Sequence, residues 1–210
     1  EGIPSSRIHR VGNVMIDSLL HGVKRCSGHF KRATGSEIPE NCAVVTLHRP
    51  SNVDYPERLQ ILLDQLDAAA QILDLVWPVH PRARARLQEF GMWNRLNEHS
   101  NIHVFDPLGY LAFIDLIISS NIAITDSGGL QEETTVLGIP CLTIRENTER
   151  PITIDRGTNT LITSDKLETL PETIAIKATT PPHIQNLDIE GWDGKAASRV
   201  VQVLIDLIGE

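Results

Sequence analysis

The chain has no run of 18 consecutive apolar residues, and its opening, Glu1-Gly2-Ile3-Pro4, lacks a basic region followed by an apolar one. Membrane insertion and secretion are therefore both unsupported. No Lys/Arg tract stands out, and 27 acidic residues against 19 basic ones leave a formal net charge of -8. Nucleic acid is not an expected partner, because duplex binding relies on clustered cations to neutralise phosphates. Cysteine is scarce: Cys26, Cys42 and Cys141 form no close pair. They read as buried thiols in a reducing, cytoplasmic compartment rather than as a disulfide framework. His, Cys and carboxylates do not fall at metal-ligand spacing, so no metal and no cofactor are expected. The Gly-x-Ser-x-Gly arrangement is also missing, which argues against a serine nucleophile at Ser127. Internal repeats and low-complexity tracts are absent.

What remains is a chain of 210 residues, 41% hydrophobic and 22% charged, enough for one sizeable core or at most two small ones. Six short apolar runs, rich in β-branched residues, cover 43–47, 75–79, 102–105, 122–125, 141–144 and 160–163. Helical patterns lie between them. The clearest opens with Asp54 as a cap and Pro56 in its first turn, then repeats Leu59, Leu62, Leu63, Leu66, Ala69, Ala70 and Leu73 at three and four. Weaker patterns cover 82–90, 110–119, 129–137 and 166–176. Strands apolar on both faces and joined by helices predict an α/β fold with a doubly wound parallel sheet. Right-handed crossovers then place every strand-to-helix turn on one edge, where function is expected.

That edge collects distinctive residues. After the first run comes His48-Arg49-Pro50-Ser51-Asn52, after the second His80-Pro81-Arg82, and after the third Asp106-Pro107-Leu108-Gly109-Tyr110. The fifth run leads into Arg145 to Pro151. The fourth stops at Asp126-Ser127-Gly128-Gly129 and passes at once into helix-forming residues. Such a junction aims free N–H groups and the positive end of a helix dipole at one point, and its glycines let an anion approach. A phosphate-bearing ligand is the functional reading; plain packing of a Gly-Gly turn is the alternative. Residues 8–23 and 196–208 read as amphipathic terminal helices, and the Pro-rich stretch 178–183 as an extended connector. Because the chain opens at Glu1 and its first Met is Met15, it is expected to be a piece of a longer product.

The combination of Thr46-Leu47-His48-Arg49, Pro78-Val79-His80-Pro81, Asp106-Pro107 with Tyr110, Asp126 to Glu133, Thr148-Glu149-Arg150-Pro151 and Asp193-Gly194-Lys195-Ala196 resembles the non-hydrolysing UDP-N-acetylglucosamine 2-epimerases, over the second half of the enzyme only. The resemblance implies a Rossmann-like domain, one half of a glycosyltransferase-B type two-domain architecture. The implied boundaries are 1–40 as helix and linker from a missing first domain, 41–178 as the UDP-binding domain, and 179–210 as connector and terminal helix packing back toward the missing part. It further implies that Ser127, Gly128 and Gly129 cradle the diphosphate of UDP or UDP-N-acetylglucosamine. Glu133 takes the ribose hydroxyls, and Arg150, or Arg145 beside it, meets the phosphates. Tyr110 and Phe113 hold the uracil, though Phe113 also fits the apolar side of its helix. His48 is the implied catalytic residue, near the diphosphate and the reacting sugar; His80 could bond a phosphate or lock a turn. The acid–base carboxylates would come from the N-terminal domain, leaving the isolated chain able to bind UDP and unable to epimerise, and the full protein a possible homodimer.

The sequence departs from the pattern at Ser51, where many relatives carry a glutamate, and at Glu190-Gly191-Trp192, where Pro-Tyr-Gly is usual. Other readings are a glycosyltransferase of the same architecture, a hydrolysing epimerase, and a non-catalytic nucleotide-binding module.

Overall fold

The structure is a computed structural model, and it describes residues 2–179 and 189–209. Of the proline-rich connector, residues 180–183 lie outside the described range. The strands are β1 (Cys42–Thr46), β2 (Asp74–Pro78), β3 (Ile102–Phe105), β4 (Ile122–Thr125), β5 (Cys141–Ile144) and β6 (Asn159–Ile162). The helices are α1 (Val14–Val23), α2 (His29–Thr34), α3 (Pro50–Val53), α4 (Pro56–Ala69), α5 (Pro81–Glu89), α6 (Trp93–Asn97), α7 (Tyr110–Ile118), α8 (Gly128–Leu137), α9 (Ile152–Asp155), α10 (Leu170–Lys177) and α11 (Ala196–Gly209).

All six strands pair in parallel, in the order β3-β2-β1-β4-β5-β6. This is the doubly wound, Rossmann-like order, and its topological switch lies between β1 and β4. Successive side chains of each strand enter opposite layers of core. Ala43, Val45, Leu75 and Trp77 pack beneath α4, α5 and α10 with Leu59, Leu62, Leu63, Leu66 and Ile174. Cys42, Val44 and Val76 pack on the other face with Ile16, Leu19, Phe30, Ile114, Leu116 and Leu130 from α1, α2, α7 and α8. Burial on both faces is why the strands read as continuous apolar runs. All three cysteines are free and buried in this second layer, and burial pushes the thiols of Cys42 and Cys141 up to about 11.

Several expectations need correction. Asp54 does not cap α4, which starts behind Tyr55 with Pro56 in its first turn and no side-chain cap. Its carboxylate turns instead to Arg82 and Arg86, with Nε distances of 3.0 and 3.2 Å; two cations offer it more than one N–H could. The first terminal helix begins at Val14, not residue 8, because Gly12 sits at φ +96° and the Asn13 side chain caps the Met15 N–H at 3.0 Å. Its buried face is Ile16, Leu19 and Gly22, whereas Val14 and Met15 are exposed. A Cβ on Gly22 would lie 2.5 Å from the end of the Ile114 side chain, so glycine here lets α1 approach α7 without displacing that side chain. The pattern read at 166–176 divides into a 3-10 turn, Ser164–Thr169, and α10, since Pro171 has no N–H to donate and fits only a fresh first turn. Helices α2 and α6 were not expected at all; at six and five residues they are too short to show a period.

Candidate functional site at the sheet switch point

Thr46 and Thr125 end β1 and β4 side by side, with their hydroxyls 2.7 Å apart. Beyond them the chain departs toward α3 on one side and α8 on the other, which leaves a crevice. A cavity of about 390 Å³ fills it. Its wall includes His48, His80, Tyr110, Phe113, Ser127, Gly129 and Glu133, which are seven of the ten expected site residues, together with Met15, Leu108 and Leu130.

Helix α8 starts at this crevice. Ser127 is its N-cap and makes no side-chain cap bond; its own N–H donates to Thr125 Oγ1 at 2.9 Å. First-turn N–H groups of a helix have no carbonyl within the helix to meet. Neither Gly128 nor Gly129 has positive φ, so their backbone does not require glycine. Space does not require it at Gly128 either, where a Cβ would enter the open; one at Gly129 would come 2.9 Å from the movable end of the Met15 side chain. The bare backbone is left accessible to a ligand.

The most heavily bonded group is one to which the sequence reading gave no role. Asp126 is fully buried. Its Oδ2 accepts the N–H of His48 at 3.0 Å, the N–H of Arg49 at 2.8 Å and the amide of Asn52 at 3.1 Å. Its Oδ1 lies 2.9 Å from Nδ1 of His48. Burial alone would raise this carboxyl; His48, the Arg49 N–H and Asn52 outweigh it and hold the group below its ordinary value. Asn52 also donates to the carbonyl of Ile144 at 3.0 Å. The turn after β1 is thus pinned to the ends of both β4 and β5.

His80 caps α5, its Nδ1 accepting the Arg82 N–H at 3.1 Å. The His80 and His48 rings stand 5.3 Å apart. Desolvation, then the charge of His48, lowers the His80 pKa. Glu133, buried on α8, accepts from the Tyr110 hydroxyl at 3.3 Å. Burial raises its pKa; Tyr110 pulls it back and Glu132 adds to the rise. Tyr110 in turn is pushed up to about 12, by desolvation and then by Glu133.

Gly128, Arg145 and Arg150 are not in the wall of this cavity, although Gly128 lies between two residues that are. Arg145 reaches Glu149 at 3.2 Å and keeps a buried Nη1 that has no hydrogen-bond partner among the described residues. Arg150 makes an ionic contact with Glu132 of α8, Nε to Oε1 at 3.0 Å. The loop that carries it is fastened to α8 through Gln131, whose Oε1 accepts from Thr148 at 2.6 Å and from Asn159 at 3.1 Å, while its Nε2 donates to the Ser127 carbonyl at 3.1 Å. Gln131 was not expected in this role; a buried glutamine gives no signal until its partners, 17 and 28 residues away, are known.

The family model for UDP-N-acetylglucosamine 2-epimerase matches residues 1–205. The chain belongs to this family. A UDP-N-acetylglucosamine 2-epimerase of Methanocaldococcus jannaschii is 34% identical over 209 residues, 97% of this chain and 56% of that protein. One from Methanococcus maripaludis is 39% identical over 170 residues, 79% of this chain and 46% of that protein. Among solved structures, the M. jannaschii epimerase in complex with UDP-GlcNAc and UDP superposes with a TM-score of 0.81 at 31% identity, covering 96% of this chain and 56% of that one. The chain therefore spans about half the length of the relatives it matches. As a member of the epimerase family it is the Rossmann-like half of a glycosyltransferase-B type architecture. Among the described residues no helix is long and apolar enough to cross a membrane, and no group of three or more His, Cys, Asp or Glu is placed to hold a metal ion.

Proposed function

We propose that this chain is the nucleotide-binding half of a UDP-N-acetylglucosamine 2-epimerase, acting in the cytoplasm, and that UDP or its sugar conjugate occupies the switch-point cavity. The carrying observation is the start of α8, whose Ser127 and Gly129 border the same cavity as two histidines and the buried carboxylate of Glu133. In this reading Ser127, Gly128 and Gly129 present N–H groups to the diphosphate. Arg150 and the unpaired Nη1 of Arg145 supply positive charge from the adjoining loop. Glu133 accepts from the ribose hydroxyls, displacing its contact with Tyr110; Tyr110 and Phe113 flank the uracil. His48 and His80 stand where the diphosphate meets the sugar.

In the family reaction the C2 proton of the sugar is removed, UDP leaves from C1, and both are returned with C2 inverted to give UDP-N-acetylmannosamine. Departure of UDP places negative charge on the diphosphate, which preorganised donors and cations stabilise. This half supplies those groups. The base that removes the C2 proton is assigned to the half of the enzyme outside this sequence, and α11 is assigned to pack toward it: Val201, Leu204, Ile205, Leu207 and Ile208 are all exposed, a face that water does not favour.

Calorimetric titration of the chain with UDP should show one-site binding, and no detectable heat at millimolar ligand would overturn the reading. The chain alone should not exchange the C2 proton of UDP-N-acetylglucosamine in deuterated water. Exchange above the buffer rate would place the base here instead.

A further inference from the structure

The two histidines at the cavity are held in opposite tautomers. His80 Nδ1 accepts a backbone N–H, that of Arg82, so its neutral ring must carry the proton on Nε2. His48 Nδ1 faces a carboxylate oxygen at 2.9 Å, and a carboxylate held below its ordinary pKa can only accept. The His48 proton is therefore on Nδ1, and Nε2 is the nitrogen left for a ligand in the cavity that this ring lines. On a neutral ring that nitrogen carries a lone pair. Facing a phosphate oxygen it is acceptor against acceptor.

Resting on the functional reading above, we propose that Asp126 is a positioning residue that locks His48 in the Nδ1–H tautomer, so that His48 meets a ligand diphosphate only as imidazolium and nucleotide-sugar binding takes up a proton. The proton comes from solvent and bonds to the Nε2 lone pair; Nδ1 keeps its own, and none passes to Asp126. His80 needs no such uptake, since its Nε2–H can already donate. The charged and titratable groups around His48 are Asp126 below it, His80 across from it, Arg49 next in its turn, and Glu133 and Tyr110 in the same cavity wall.

The geometry also dictates what Asp126→Asn does. Two donors reach Oδ2 alone, the Arg49 N–H and the Asn52 amide, and the His48 N–H is shared between Oδ2 and Oδ1 at 3.0 and 3.1 Å; the amide oxygen therefore takes the Oδ2 place, where it keeps all three, and the NH₂ group occupies the Oδ1 position, against His48 Nδ1. The ring must then accept on Nδ1 and carry its proton on Nε2, as when the aspartate of a catalytic triad is changed to asparagine. Nε2–H can donate to a phosphate without further protonation.

Two measurements on the chain test this. Ring ¹⁵N spectra of the free protein at about pH 8, where imidazoles are ordinarily neutral, should show His48 protonated on Nδ1 in the parent and on Nε2 in D126N, with His80 on Nε2 in both. Titration with UDP-N-acetylglucosamine at the same pH, in buffers of different ionisation enthalpy, should show net proton uptake in the parent and markedly less in D126N. The sugar conjugate is the probe because it has no terminal phosphate titrating near neutrality. A parent His48 protonated on Nε2 overturns the lock, and equal uptake by both proteins overturns the linkage. If nothing binds, the functional reading and the linkage fail together, while the ring spectra still decide the tautomer.

Discussion

Gly128→Asp should abolish measurable UDP binding while leaving the fold intact or slightly more stable. Gly128 has ordinary φ, its added Cβ meets nothing within 4 Å, and it is the first residue of α8. A carboxylate in the first turn of a helix is favoured by the dipole by about 0.3–1 kcal/mol. The same charge would stand in front of the proposed diphosphate. At about 5 Å, with an effective dielectric near 20, each like-charge pair costs about 3 kcal/mol, or at least about 100-fold in affinity. Thermal unfolding and UDP calorimetry on the same preparation separate the two effects. An affinity within about threefold of the parent would mean that the diphosphate does not sit at this helix. Gly128→Ala is the milder companion: it keeps the fold for the same steric reason and should weaken UDP binding only as far as one methyl group obstructs the approach.

The second large effect concerns stability. Asp126→Ala removes the shared acceptor of two backbone N–H groups, the Asn52 amide and the His48 ring. Removing one partner of a buried, charge-assisted cluster costs about 3–5 kcal/mol. For a domain of this size that lowers Tm by roughly 10 °C. Because the Asp126 carboxyl lies below its ordinary value in the folded chain, its contribution is fully present above the ordinary carboxylate range and disappears as pH falls through the lower folded value. The variant should therefore lose most at neutral pH and converge on the parent in strong acid. Chemical denaturation at neutral and at acid pH would show this, and a loss that is the same at both, or under about 1 kcal/mol at neutral pH, would remove Asp126 from the role of shared anchor.

The sheet was legible because its strands are apolar on both faces and short, and Leu59 to Ala69 was legible because one helical face alone is apolar. What escaped was decided by tertiary partners. Asp54 has the chemistry of a helix cap, yet two arginines of α5, 28 and 32 residues away, claim it. The first helix has apolar residues on more than one side, and only its packing on α7 and α8 selects Ile16, Leu19 and Gly22. At the site, residues at strand ends could be collected from the sequence because a parallel sheet sends every such turn to one edge. His48, His80, Ser127 and Glu133 meet there as that rule requires. The residues that hold them could not be found in this way. Asp126 lies 78 residues from His48 and, before the structure, is indistinguishable from an aspartate that merely ends a strand.

The distribution of thiols carries a practical consequence. All three cysteines sit in the layer formed by α1, α2, α7 and α8, and the described residues of the opposite layer contain none. Cys42 and Cys141 lie on β1 and β5 beneath those helices, so an alkylating reagent reaches them only when that layer parts from the sheet; their rate of modification follows the opening of the side that carries α8 and is blind to fraying beneath α4 and α10, while Cys26, in the turn between α1 and α2, reports on that turn. The chain thus holds a built-in, one-sided clock for the helix on which the proposed nucleotide rests.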